Sequence, residues 1–347
     1  MKPVPPLPET DLLHILDRTA PLWRELSGAR LFVTGGSGFF GIWFLETLAA
    51  ANARLNAGVD ITVLSRAPER VIASHPHLSA VCTWHLGDVR DFVFPEGEFS
   101  HIIHAATSTD ARFNSASPSE ALDTIVSGTR RVLDFARHSK ARKLLLTSSG
   151  AVYGPQPKNL AHLPEDYAGA PDATRVDSVY AEGKRVAELQ LAIASDNSGL
   201  EAKIARCFTF VGPLLPLDWH FAIGNFLRDA LTDNDLIIKG DGRPLRSYLH
   251  AADLVIWLLT ILMQGQSMRP YNVGSEDACS IADLAQRVAA LSGTKGKVRI
   301  LSEPATGPAP RYVPDTRRAR EELGLEQTIA LDDAIARTLS WLRRKHP

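Results

Sequence analysis

Short apolar runs alternate with amphipathic stretches along the N-terminal half of the chain. Leu31-Phe32-Val33 predicts a buried strand, and residues 59–64, 81–85, 101–106 and 143–149 predict four more. Segments of helical character lie between them. Residues 42–50 have the composition of a helix, and Leu122, Ile125, Val126, Val132, Leu133 and Ala136 form an apolar stripe at helical spacing. Ser117-Pro118-Ser119-Glu120 opens that second helix with a capping-box pattern and proline at the first helical position. Strands alternating with helices predict an α/β fold, a parallel sheet covered on both faces. Residues 1–29 precede this pattern. A proline-rich start leads to two short predicted helices, over 9–16 and 21–26, with Trp23 buried and Gly28 closing the arm. Residues 281–291 and 331–342 are amphipathic and predict packing helices.

The first strand runs into a glycine turn. Gly35, Gly36, Gly38 and Gly41, with Phe39 and Phe40 among them, separate it from the helical segment. A tight turn needs a residue without Cβ, and a pyrophosphate needs bare backbone N–H groups at a helix N-terminus. Strand, glycine turn and helix in this order are the context of a dinucleotide fingerprint. The second strand ends in Ser65-Arg66, where a carboxylate would bind the adenosine ribose 2′-OH of NAD. A guanidinium there either meets the 2′-phosphate of NADP or sits in a solvated loop. Thr107 and Ser108 lie at the carboxyl end of the fourth strand, the side on which ligands bind in a doubly wound sheet.

Composition narrows the class. The 347 residues are 45% hydrophobic and 22% charged, as in a globular enzyme. A net charge of −1 gives no basic field for nucleic acid or a membrane surface. Cys82, Cys207 and Cys279 are far apart, without metal-ligand spacing, and their odd number suits a reducing compartment. No signal-peptide core follows Met1 and no run of about 18 apolar residues exists to span a bilayer. The expectation is a cytoplasmic protein without metal, nucleic-acid or membrane partners.

The candidate chemistry follows the fifth strand, which ends in Ser148-Ser149. Tyr180 and Lys184 are four apart and share one face of a helix. A cation beside a phenol favours the phenolate, lowering its pKa from about 10. Such a phenolate takes the proton of an alcohol while hydride leaves the same carbon, and a serine hydroxyl holds the oxygen. A solvent-facing tyrosine–lysine pair is the alternative.

With these residues in place, the chain resembles the extended short-chain dehydrogenase/reductases, the family of nucleotide-sugar epimerases, dehydratases and decarboxylases. The residues from Thr34 to Gly41 match its cofactor motif. Gly87-Asp88-Val89-Arg90-Asp91 resembles its adenine-contacting segment and His104-Ala105-Ala106 its fourth-strand motif. Ser149, Tyr180 and Lys184 match its catalytic set. Arg206 to Pro213, Arg246 to Asp253 and Tyr271 to Gly274 match later segments, in the family's order.

The resemblance implies a Rossmann-type doubly wound parallel sheet with a smaller C-terminal α/β substrate-binding lobe. Residues 1–29 form a helical arm, 30–206 the NAD(P)-binding domain with part of the later chain returning to it, and 207–347 mainly the lobe. Gly35, Gly38, Phe39, Phe40, Gly41, Ser65, Arg66, Asp88, Val89, Ala105, Ala106, Thr107, Tyr180 and Lys184 are expected at the cofactor. Ser108, Ser149, Thr209, His220, Asn225, Arg246 and Arg311 are expected at a nucleotide-diphosphate sugar. His220 and Asn225 read equally as satisfied polar groups, and Arg311 as one half of a surface salt bridge. Dehydratases of the family carry Asp-Glu after the catalytic threonine, and its decarboxylases usually carry glutamate at the second position; here those positions are Gly150 and Ala151. Ser-Gly-Ala is closer to the Ser-Ala-Thr of UDP-galactose 4-epimerases. The resemblance therefore implies oxidation at sugar C4 by a 4-epimerase. A dehydratase or decarboxylase drawing its acid from His220, Glu165 or Asp166, an NADPH-consuming ketoreductase, and a non-catalytic sensor are the alternatives. A cofactor regenerated each turnover favours NAD. A homodimer is expected through helices 118–138 and 179–194.

Overall fold

Alternation along the strands divides two cores. The computed structural model describes residues 3–107, 111–196 and 198–345. In β1 (Arg30–Thr34), Leu31 and Val33 enter one core and Phe32 enters the other. β4 (His101–His104) and β5 (Lys143–Ser149) repeat the division: Ile103 and Leu145 on the first side, Ile102, Leu144 and Leu146 on the second. With β2 (Asp60–Ser65), β3 (Thr83–Leu86), β6 (Glu201–Cys207) and β7 (Pro270–Val273), these strands form one seven-stranded sheet of order β7-β6-β5-β4-β1-β2-β3. Every pairing in it is parallel. The third strand begins at Thr83, two residues later than expected, because Val81 donates its N–H to Leu78 in a turn. The seventh comes from the later chain and pairs with β6.

Both faces are covered. Besides α1 (Glu9–Arg18), the helices that do this are α2 (Phe39–Leu55), α3 (Pro118–His138), α4 (Val179–Ser195) and α5 (Ala251–Gln264). α2 and α5 share the core of Leu31 and Val33; α3 and α4 share that of Phe32. Phe32 stacks on Phe92 at 5.4 Å and meets Phe135 of α3 at 4.5 Å. Burying such a ring contributes about 1.5–3 kcal/mol. α3 and α4 pack closely, since a Cβ on Gly183 would lie 2.8 Å from Ile125 Cδ1.

α5 is buried from Ala251 through Met263, so its outer side also needs cover. α1 supplies part of that cover, and Trp23 is buried as expected. The arm is tied down by polar contacts too: Arg337 reaches Asp11 at 2.6 Å, and Trp341 Nε1 donates to the Pro6 carbonyl at 3.0 Å. One expected local device is absent. The Ser117 hydroxyl does not cap α3; at φ −137°, ψ 63° the residue departs from the extended cap conformation, and its carbonyl accepts the Ala121 N–H instead.

The later chain also forms short pieces beside the sheet. Leu245–Arg246 pairs antiparallel with Cys279–Ser280 and parallel with Arg311–Tyr312. Among the described residues no helix is long and apolar enough to cross a membrane, and no group of three His, Cys, Asp or Glu is placed to hold a metal.

Candidate active site

The sheet order reverses between β1 and β4, which are neighbours. The chains leaving their carboxyl ends therefore diverge and open a crevice there. Gly35, at φ +74°, is in contact with the fourth-strand loop: a Cβ on it would lie 2.5 Å from the Ala105 carbonyl. A Cβ on Gly36 would lie 2.4 Å from Val63 Cγ1. α2 starts immediately after Gly38, without a side-chain cap. The first-turn N–H groups of Phe39, Phe40 and Gly41 have no partner within the helix, and the helix dipole adds positive charge there. A bare, positively polarised helix end reached over glycine fits the pyrophosphate of a dinucleotide.

At the end of β2, Ser65 Oγ accepts the Ala67 N–H at 3.2 Å. Asp88 takes Arg90 Nε at 2.8 Å and Nη2 at 3.0 Å, and this pair, with the charge of Arg66, holds its carboxyl below the usual range. Val89 is buried beneath α3, against Gly128. Ala106 donates its N–H to Thr34 Oγ1 at 3.2 Å, fixing the loop that carries Ala105 and Thr107.

At the carboxyl end of β5, the strand delivers Ser149 and α4 delivers Tyr180 and Lys184. Lys184 Nζ donates to Thr107 Oγ1 at 2.9 Å and to the Thr147 carbonyl at 2.7 Å. Burial pulls its ammonium down to about 8. Ser149 Oγ accepts the Ala151 N–H at 3.1 Å. The sequence led us to expect a phenol lowered by the lysine. Instead burial pushes Tyr180 up to about 12 against the lowering effect of Ser149. The ammonium lies 6.0 Å from the phenol ring centroid, and its hydrogen bonds go elsewhere.

A second phenol, unmarked in the sequence, completes the group. Tyr312 lies against Phe208 at 4.7 Å between ring centroids, and its oxygen would stand 2.7 Å from a Cβ on Gly150, next to Ser149. Only proximity in space connects Tyr312 to Ser149, so no spacing in the chain signals it.

The expected substrate contacts divide. Arg246 Nη1 donates to its neighbour's carbonyl at 2.8 Å, and its guanidinium stands 5.9 Å from the Tyr312 ring. Arg311 is aligned beside Leu245 on the adjoining strand. Among the described residues neither arginine has a carboxylate partner, so the salt bridge considered for Arg311 is not formed. Thr209 instead donates its hydroxyl to the Ser247 carbonyl at 2.5 Å. Asn225 donates to the Trp219 and Phe221 carbonyls at 3.0 and 3.2 Å and accepts from Arg228, and is thus satisfied within its own turn. His220 is exposed, with its ring 4.2 Å from that of Phe221. Glu165, weighed as an alternative acid, is buried and accepts the Asn272 N–H at 3.0 Å. Ser108 lies outside the described residues.

The chain is similar to known proteins over most of its length. The model of the NAD dependent epimerase/dehydratase family matches residues 31–274. UDP-glucuronic acid decarboxylase 6 of Arabidopsis thaliana is 30% identical over 89% of this chain and 87% of its own. UDP-glucuronic acid decarboxylase 1 of Xenopus tropicalis is 29% identical over 92% and 74%. Among solved structures, the UDP-glucose 4-epimerase of Thermotoga maritima with UDP-glucose superposes with a TM-score of 0.77, at 18% identity, over 92% of this chain and all of that one. The dTDP-glucose 4,6-dehydratase of Streptomyces venezuelae with NAD bound gives 0.74 at 24% identity, over 91% and 97%. At these identities the two structures establish the fold. The family's cofactor is NAD, and the glycine turn, the open helix end and Lys184 fit it. The chain belongs to the NAD-dependent epimerase/dehydratase family of enzymes.

Proposed function

We propose that the protein oxidises a nucleotide-diphosphate sugar at C4 and returns the hydride to the opposite face, as a 4-epimerase. NAD bound in the crevice supplies a hydride acceptor that can give the hydride back. Tyr180 takes the C4 hydroxyl proton and later returns it. Ser149 orients that oxygen, and Lys184 holds Thr107 and the end of β5 in register with Tyr180. Arg246 and Arg311, both without carboxylate partners among the described residues, suit the diphosphate, because a guanidinium binds phosphate oxygens in pairs.

One observation carries the choice of epimerase. Among the described residues, the side chains gathered at the end of β5 are two phenols, a hydroxyl and an ammonium, and the shifts of Tyr180 and Tyr312 come from burial first and not from a carboxylate. Gly150 and Ala151 offer no acid, and Glu165 is committed to Asn272. Dehydration needs a group to protonate the leaving hydroxyl. Epimerisation needs only the reversible transfer that this set performs.

Decarboxylation is the second reading, favoured by the UDP-glucuronic acid decarboxylases among the relatives. Oxidising a glucuronate at C4 makes a β-keto acid, which loses CO₂ without a protein carboxylate. The deciding experiment incubates the NAD-loaded protein separately with UDP-galactose and UDP-glucuronate, separates the products by chromatography and weighs them. Epimer from UDP-galactose at unchanged mass is expected. Loss of CO₂ from UDP-glucuronate alone would replace the epimerase with the decarboxylase.

The assembly we propose is a homodimer through α3 and α4, supported by apolar side chains those helices expose: Leu122, Leu189 and Ile193. We also assign 207–347, apart from α5 and β7, to the substrate lobe. Cytoplasmic placement is supported by the thiols of Cys82, Cys207 and Cys279, all free.

A further inference from the structure

Val152, Tyr153, Leu163 and Phe208 form a third, small core apart from the two large ones, with Tyr167 and Tyr312 packed against it. Three stretches of chain meet there. The first is the turn Gly150–Tyr153, which follows Ser149. The second is the chain between that turn and α4, which delivers Tyr180. The third is the segment that follows Arg311 and Tyr312. The second and third lie side by side. Leu163 donates its N–H to the Val313 carbonyl at 2.9 Å, and Asp315 donates its N–H to the Leu163 carbonyl at 2.9 Å. The side-chain oxygen of Gln156 accepts the Val313 N–H at 2.9 Å.

Asn272 joins all three stretches. It stands fully buried on β7, at the edge of the sheet. Its Oδ1 accepts the Tyr153 hydroxyl at 2.7 Å. Its Nδ2 donates to the Leu163 carbonyl at 2.8 Å and to the Asp315 carbonyl at 3.0 Å. An amide nitrogen has two protons to give, and both are used. The backbone N–H of the same residue goes to Glu165 Oε1 at 3.0 Å, a second hold on the middle stretch. These contacts, rather than packing, demand the residue type. An ionised carboxylate of the same shape could accept from Tyr153 but could not donate to either carbonyl. An apolar side chain would leave the buried Tyr153 hydroxyl without its acceptor.

We propose that Asn272 is a positioning residue for the reaction: its amide holds the segment after Arg311 in fixed register with the Gly150–Tyr153 turn and with the chain leading to Tyr180, so that a sugar anchored by its diphosphate presents C4 to the reacting groups. The proposal rests on the reading of Arg311 as a diphosphate contact and of Tyr180 as the base. A substrate held at one end and oxidised at the other needs the distance between those ends to be set by the protein. Here one side chain sets it.

The test is amide hydrogen exchange of the NAD-saturated protein with and without saturating UDP or, in parallel, dTDP. It is run on wild type, Asn272→Asp and Tyr153→Phe. Asn272→Asp keeps the shape and the acceptor and loses both donors. Tyr153→Phe keeps the ring and loses only the third bond. In wild type the nucleoside diphosphate is expected to slow exchange over 311–316 and also over 150–165, because the stretches move together. In Asn272→Asp the slowing should stay within 311–316, and in Tyr153→Phe it should reach 155–165 but not 150–153. A merely structural Asn272 would speed exchange in the variants without changing this pattern. With the sugar nucleotide that wild type turns over, kcat per NAD-bound site should fall roughly 10²-fold in Asn272→Asp while UDP affinity holds, as for reacting atoms misplaced by about 1 Å. Slowing confined to 311–316 in wild type, or spreading over 150–165 in Asn272→Asp as in wild type, overturns the proposal and leaves the diphosphate reading standing. No slowing over 311–316 by either nucleotide in wild type overturns that reading and the proposal with it. If Asn272→Asp does not fold, Tyr153→Phe decides: slowing over 150–153 equal to that of wild type overturns the proposal.

Discussion

Gly41 lies directly against the carbonyl of Gly35. A Cβ on Gly41 would stand 2.3 Å from that oxygen and 2.4 Å from the Cα of Gly36. Both neighbours are backbone and cannot rotate aside. Gly41→Ala is therefore expected to push α2 off the glycine turn, at a cost of about 1–3 kcal/mol from overpacking. The N–H groups at the start of the helix would move with it, so NAD affinity should fall as well. Urea unfolding and NAD titration of the variant check both effects. Wild-type values in both would show that the helix can shift without disturbing the dinucleotide site.

Lys184 is buried with its ammonium shared between Thr107 and the Thr147 carbonyl. It thus ties together the fourth-strand loop, the end of β5 and the helix bearing Tyr180. Lys184→Met fills similar space and donates nothing. Turnover should fall by roughly 10²–10⁴, the range for general acid–base catalysis. Thr107→Val, which removes one of the two acceptors, should fall part of the way. Single-turnover rates with NAD saturating measure the ladder. Equal losses in the two variants would mean that Thr107 does more than receive the ammonium.

Arg246 differs from its neighbour Arg243, which Asp241 holds at 2.8 Å. The Arg246 guanidinium has only a backbone carbonyl as partner among the described residues, leaving donors for a ligand. Arg246→Ala is expected to raise the KM for a nucleotide sugar by roughly ten- to a hundredfold, from the loss of charged hydrogen bonds worth about 1.5–3 kcal/mol. Unfolding stability should hardly change. A KM that stays put, with lowered stability, would make Arg246 a structural residue.

How much of this was legible follows from where each signal resides. The glycine turn, the apolar strands and the Tyr180–Lys184 spacing are local patterns, and all three hold in the structure. So does the helix at 281–292, which the sequence located to within a residue. What escaped depends on contacts between distant parts of the chain. Tyr312 comes beside Gly150 only because its strand pairs with that of Arg246. Thr209 and Asn225 read from the sequence as candidate substrate contacts, Asn225 equally as a satisfied polar group, and backbone carbonyls from Ser247, Trp219 and Phe221 occupy them. The pKa of Tyr180 was misjudged for a similar reason. Spacing shows a nearby cation but does not show the burial that outweighs it.

His104 gives the fold a titratable weakness. Its ring is buried between Thr34 Oγ1 at 2.8 Å and Thr129 Oγ1 at 3.1 Å. Burial, helped by the charge of Lys184, pulls its pKa from 6.5 down to about 3. Above 6.5 the ring is neutral in both folded and unfolded chains and stability is unaffected. Between 6.5 and about 3 the unfolded chain binds a proton that the folded chain refuses, so stability is lost as pH falls. His101 and His250, each pulled down to about 4 by burial, act in the same direction. Urea midpoints from neutral pH downward should decline. His104→Gln, measured against its own neutral value, should decline less steeply, by up to about 1.4 kcal/mol per pH unit. An identical slope would mean that the ring takes up its proton without leaving the fold.

Glu188 lies one helical turn beyond Lys184 and binds Arg206 at 2.7 Å, with the Ser148 hydroxyl donating to it at 2.5 Å. The side chains of the pair are 13% and 15% exposed, so water screens them little. Arg206 belongs to a segment that resembles the family's, and the structure ties its guanidinium to α4 and to the Glu165 carbonyl at 3.2 Å. Glu188→Gln keeps the shape and leaves the guanidinium without a counter-charge. A loss of about 3 kcal/mol is expected, as for a buried pair broken from one side. Replacing both partners, Glu188→Leu with Arg206→Met, should recover much of it, because no unpaired charge is then left inside. The same substitution reaches the active site. Glu188 is one of the charges that hold the Lys184 pKa up against burial. Its removal should lower the pH at which Lys184 loses its proton, and so bring the alkaline fall in turnover to lower pH. If stability drops and the alkaline limb does not move, the pair serves the fold alone and the ammonium owes its charge to the groups it touches.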